Sequence, residues 1–205
     1  MTDHLHALQD DIGFLRSLAE SGRTRGLAGG SVLVAAGGLF GLASIGHWAI
    51  NQGLISNAGG WAYPAVWGPA SALFFAALVL VKRRAGDASA DSASRAMNMT
   101  WQALGCTIFV LILCMLLVVW RSRSMAPLAL FPAIILSLYG SGWLVAATIA
   151  RRSWMWAAAV GAYAAALGAA WLCMSNAVYL WYAAALWLVV ALPGAVMMRA
   201  TRPQV

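Results

Sequence analysis

Residues 153–176 read SWMWAAAVGAYAAALGAAWLCMSN. Within this stretch Ala157, Gly161, Ala165 and Ala169 recur every fourth residue, and Ala158, Ala162, Ala166 and Ala170 form a second such row. Residues three and four apart share a helix face, so the middle of this segment is covered by little more than hydrogen atoms and methyl groups. Trp154, Trp156 and Trp171 mark its ends. The pattern predicts a membrane helix without bulk, whose neighbours approach its backbone closely, with Ala157, Gly161, Ala165 and Ala169 as the packing row.

The rest of the chain places that helix in a bundle. Of 205 residues, 62% are hydrophobic and 9% charged, whereas soluble domains have about 45–50% apolar and about 25% charged residues. Six apolar stretches, near 27–50, 60–81, 101–120, 127–150, 154–174 and 177–198, reach the roughly 20 residues that a helix needs to cross a bilayer. The expected fold is an all-α membrane protein with six transmembrane helices in three antiparallel hairpins. The expected organisation is a segment 1–26, a transmembrane domain 27–198 with a hydrophilic linker at about 82–100, and a tail 199–205.

The net charge of +7 has a topological explanation. Arg16, Arg23, Arg25, Lys82, Arg83, Arg84, Arg95, Arg151, Arg152, Arg199 and Arg202 fall on one side of a six-span path, and only Arg121 and Arg123 on the other. That asymmetry puts both termini in the cytoplasm and suits a bacterial inner membrane. Nucleic acid is not an expected partner, because the bases follow the topology and form no patch. Residues 1–26 carry Asp10, Asp11 and Glu20 and have no apolar core, so they do not read as a cleavable signal.

Before the first span, Leu5, Leu8, Ile12 and Leu15 follow helical spacing, with acids and Arg16 elsewhere on the wheel and Ser21-Gly22 as a stop. This predicts a short cytoplasmic amphipathic helix over 4–21. An in-plane membrane helix would have a basic polar face. Acids predominate here, which favours docking on protein, either this chain's own loops or a partner.

The first span carries Gly37, Gly41, Ser44, His47 and Asn51 in steps of three or four. Its first half is smooth, with Gly37 and Gly41 as packing positions. Its second half is polar and contains the only intramembrane histidine, a group that can donate, accept or titrate. Ser44, His47, Asn51, Tyr63 and Arg121 form the candidate ligand-binding set, an outward-facing pocket. The alternative places His47 in a packed helix interface. Pro64 and Gly68-Pro69 predict a bend in the second span.

The stretch AGDASADSASRAMNM at 85–99 is rich in Ala, Ser and Asp and reads as a flexible linker. Cys106, Cys114 and Cys173 lie inside spans with no metal-type spacing and are expected as small core hydrophobes. Pro193-Gly194 falls near the end of the last span. Short connections at 151–153 and 175–176 make spans four to six sequential neighbours, with span five in the middle.

All six acids, Asp3, Asp10, Asp11, Glu20, Asp87 and Asp91, lie outside the spans. A carboxylate proton relay therefore has no members. Metal-dependent, haem and triad chemistry lack the residues they need, and no phosphate-binding glycine motif occurs. No enzyme activity, cofactor or metal is expected. Two readings remain. One is a non-catalytic protein acting through helix contacts in the lipid bilayer, as an accessory or regulatory subunit of a membrane partner or as a homo-oligomer. The other is a small transporter or channel for a neutral or anionic solute around His47.

Overall fold

The computed structural model describes residues 29–55, 59–85 and 92–200, and these are helical with no strand. Helix α1 spans Gly30–Asn51, α2 Ala62–Ala85 and α3 Ser92–Ser122. A 3-10 turn, Ala126–Leu130, leads into α4, Phe131–Ala150, followed by α5, Ser153–Trp171. The last crossing is α6, Ala177–Leu186, then a π-helical segment, Trp187–Ala191, then α7, Leu192–Ala200. The expected amphipathic helix at 4–21, with Leu5, Leu8, Ile12 and Leu15, lies outside the described residues.

Among the described residues, five stretches are long and apolar enough to cross a membrane: Gly30–Asn51, Ala62–Arg83, Arg95–Ser122, Ala126–Ala150 and Ala177–Arg199. They mark an integral membrane protein. The 19-residue α5 is not among them.

Two boundaries differ from the sequence reading. The linker expected at about 82–100 is largely helical, because α2 continues to Ala85 and α3 already starts at Ser92. Met97, inside that stretch, is fully buried and anchors the early start of α3. In the last span the α-helix gives way to π geometry ahead of Pro193. A proline has no N–H for the carbonyl four residues back, here that of Val189. That carbonyl accepts instead from the Trp143 indole Nε1 of α4 at 2.7 Å. At Pro69, by contrast, α2 is one continuous helix.

Packing makes the last crossing the hub. Helix α1 packs against α2 on one side and against α6, the π segment and α7 on the other. Helix α4 packs along α5 and against α3. The last crossing joins these halves through contacts of α6 with α4 and α5 and of the π segment with α5. Helices α2 and α3 are peripheral, and no residue in the apolar window of α3 is buried. Cys106 and Cys114 are accordingly exposed on α3, not held in the core.

The core of the bundle interleaves aromatic side chains with glycine and alanine. Gly41 leaves room for the Trp187 indole, and added methyl groups at Gly140 and Gly168 would come within 2.8 Å of Tyr163 and 2.5 Å of Trp181. The buried side chains of α5 are Met155, Ala159, Ala162, Ala165, Ala166 and Ala169, and all but Ala165 follow a 4-3-4-3 seam. It crosses both predicted rows: Ala165 and Ala169 are buried, Gly161 is half-buried and Ala157 is exposed. Each step of four overshoots a helical turn by about 40°, so an every-fourth row drifts off a straight interface while a 4-3-4-3 seam follows it. A methyl group on Gly161 would meet only Val189 Cγ1, at 3.4 Å.

Candidate functional site

At the end of the bundle where α1 finishes and α2 and α6 begin, four of the five sequence candidates come together. Ser44 is fully buried, and its hydroxyl donates to the backbone carbonyl of Tyr179 in α6 at 2.8 Å. One turn further along α1, the imidazole of His47 stacks on the Tyr179 ring, with centroids 3.9 Å apart and planes 20° apart. On its other flank, Tyr63 and Trp67 of α2 approach at 4.8 and 6.2 Å between centroids. The Trp67 indole Nε1 donates to His47 Nδ1 at 3.0 Å. An indole nitrogen is only a donor, so Nδ1 carries the lone pair and His47 is the neutral tautomer with its proton on Nε2.

A second strand of hydrogen bonds closes the end. Tyr63 donates its hydroxyl proton to Asn51 Oδ1 at 2.8 Å, and Asn51 Nδ2 donates to Asn176 Oδ1 at 3.2 Å. The chain from Tyr63 through Asn51 to Asn176 thus ties the starts of α2 and α6 to the end of α1. Below His47, Phe40 continues the aromatic column, stacked with Trp67 at 6.3 Å and tilted on Phe74 at 5.3 Å.

Arg121 does not belong to this group. It is exposed in the last turn of α3, which packs on α4 and on the 3-10 turn, away from α1. Three members escaped the sequence reading: Trp67, Tyr179 and Asn176. Trp67 lies one turn after Tyr63 and shares its face, a signal that spacing alone carries. Tyr179 and Asn176 are three apart at the start of the last crossing, and only the tertiary fold brings them to α1.

At this interface Ser44 Oγ, His47 Nδ1, both polar atoms of the Asn51 amide and the Tyr63 hydroxyl are hydrogen-bonded to neighbouring segments, an arrangement that clamps α1 to α2 and α6. An open cleft of about 340 Å³ between α4 and α5 includes none of these residues. No group of three His, Cys, Asp or Glu side chains that could hold a metal occurs among the described residues. Replacing Trp67 by phenylalanine keeps the ring and removes the N–H, leaving Nδ1 unpaired. The expected loss is about 1 kcal/mol of stability, the usual scale for a hydrogen bond between membrane helices. Reversible unfolding in mixed micelles would measure it, and unchanged stability would show that the Trp67–His47 bond contributes nothing.

No family model matches this chain, and no curated protein or solved structure is significantly similar to it.

Proposed function

We propose that this protein acts through helix contacts in the membrane, as an accessory or regulatory subunit or as a homo-oligomer, and carries out neither catalysis nor solute transport. The supporting observation is that the polar side chains of the first span are spent on its neighbours. Ser44, His47 and Asn51 each engage α2, α6 or the connection before α6, and the pocket that a transporter reading needs is filled by the Tyr179 and Trp67 rings.

In this reading the chain crosses the bilayer six times, with both termini in the cytoplasm of a bacterial cell. Helix α5 supplies the crossing beyond those five stretches, since 19 residues at about 1.5 Å each cover about 28 Å. The surfaces offered to other membrane helices are those of α2 and α3, where large side chains such as Phe75, Leu113, Leu117 and Trp120 are exposed. The cytoplasmic docking element is the sequence pattern Leu5, Leu8, Ile12 and Leu15.

The test is extraction into lipid nanodiscs followed by native mass spectrometry, with and without residues 1–22. A homo-oligomer or a co-purified membrane protein is expected in the full chain. Loss of that species in the truncated chain would assign docking to residues 1–22. A monomer without a partner, together with liposome solute flux that falls on His47→Ala, would overturn the proposal in favour of transport.

A further inference from the structure

We propose that ordered water bridges the hydroxyl groups of Tyr139 in α4 and Tyr182 in α6, inside the bundle. Both side chains belong to the core, 7% and 5% exposed respectively. Among the described residues neither hydroxyl makes a hydrogen bond, whereas those of Tyr63 and Tyr163 are bonded to Asn51 and Ser141. Burying a hydroxyl without a partner is costly, above all in a membrane, where bulk water does not reach it. The space beside the two oxygens sets them apart from a group that is simply sealed. Trp101 Nε1 is closed off without a partner, while a water-sized sphere still touches each of these tyrosine oxygens. Polar groups with such room between them are where buried water is retained.

A bond further along the bundle fixes which faces meet. Trp143 of α4 donates its indole proton to the Val189 carbonyl of the π segment at 2.7 Å. Tyr139 stands four residues before Trp143, and Tyr182 seven residues before Val189. Steps of four and seven return to nearly the same side of a helix, so both tyrosines lie on the faces that this bond brings together. Helix α5 alone lies between α4 and α6, joined by short connections, so α4 and α6 run in the same direction, and they pack on one another. Along the axes Tyr139 lies about 6 Å before Trp143 and Tyr182 about 10 Å before Val189. Side chains lean toward the start of their helix, so the two phenol groups point the same way. Their hydroxyls are within electrostatic range of each other but do not bond directly. A water between them accepts from one hydroxyl and donates to the other. Its second hydrogen goes to a helix carbonyl, which has a spare lone pair.

The experiment uses the full chain in lipid nanodiscs and infrared difference spectra between ordinary and heavy-oxygen water. An O–H band that shifts on exchange is expected in the unmodified protein and should be missing from Tyr139→Phe/Tyr182→Phe. Stability in mixed micelles is the second readout. Either single substitution should raise the ratio of unfolded to folded protein roughly 3-fold, the usual worth of a polar contact between membrane helices. The double variant should lose no more than either single one, because the first substitution already breaks the bridge. Phenylalanine keeps the ring, and unchanged elution verifies the fold of each variant. Losses that add would show the two hydroxyls acting separately and would overturn the bridge. Coupled losses with no exchange-sensitive band lost from the double variant would mean a direct bond between the tyrosines, and the water would be wrong. Both readouts concern contacts within one chain, so they stand or fall separately from the assembly reading above.

Discussion

Gly37→Leu is expected to abolish the folded bundle, whereas Gly38→Leu, one residue along the same helix, should be tolerated. A methyl group on Gly37 would sit 2.7 Å from the Ala191 backbone nitrogen, 2.8 Å from the Ala191 Cβ and 2.8 Å from the Leu186 carbonyl oxygen. Two of these three atoms are backbone atoms at the π segment, so no rotamer change can relieve the clash. On Gly38 the same methyl group meets nothing within 4 Å. Even Gly37→Ala should cost about 1–3 kcal/mol, the usual penalty for overpacking a filled site, and leucine more. Both glycines lie in one helix, so their difference cancels helix propensity and isolates the close approach. Size-exclusion profiles and unfolding in micelles would read the result. Equal behaviour of the two leucine variants would mean that the approach of α1 to the π segment does not hold the bundle together. Gly161 belongs to the small-residue row from which close packing is expected. The half-buried position of Gly161 and its single neighbour at 3.4 Å place it well behind Gly37.

The second large effect is expected at Trp143. Its indole is fully buried, lies edge-on to Trp101 with centroids 5.0 Å apart and packs on Trp154 at 5.8 Å. Its Nε1 holds the Val189 carbonyl that Pro193 cannot satisfy. Trp143→Ala removes the largest fully buried side chain of the core, at an expected cost of about 3–5 kcal/mol. Trp143→Phe separates the two contributions, because it retains ring packing and loses the N–H. A further test is Trp143→Phe combined with Pro193→Ala, which gives the backbone back its own donor at the π segment. The double variant should recover most of the hydrogen-bond part of the loss, up to about 1.7 kcal/mol. If Pro193→Ala rescues nothing, the indole does not act as the substitute donor.

These sites also show how far the sequence carried. Helical class and membrane character follow from long apolar runs, because any backbone in hydrocarbon must satisfy its own hydrogen bonds within a helix or a closed barrel. The small residues of α1 were legible as a contact face, since glycine spacing is local. So was the grouping of Ser44, His47 and Asn51, which three- and four-residue steps place on one side of any helix. Arg121 was grouped with them because it shares an end of the bundle, but topology gives height along the bundle and not position around it.

What the sequence alone determined is therefore one-dimensional: which segments are helical and apolar, and which residues share a face within each. The tertiary structure decided which face meets which. It moved the organising role from α5 to the last crossing, whose π segment and proline need both the Gly37 notch and the Trp143 indole. It also placed His47 between Tyr179 and Trp67, stacked on the one and accepting a hydrogen bond from the other. Stripe 153–176 was smooth enough to pack on any side. Alanine and glycine specify no partner; the large aromatic side chains that fit against them do, and those lie on other helices.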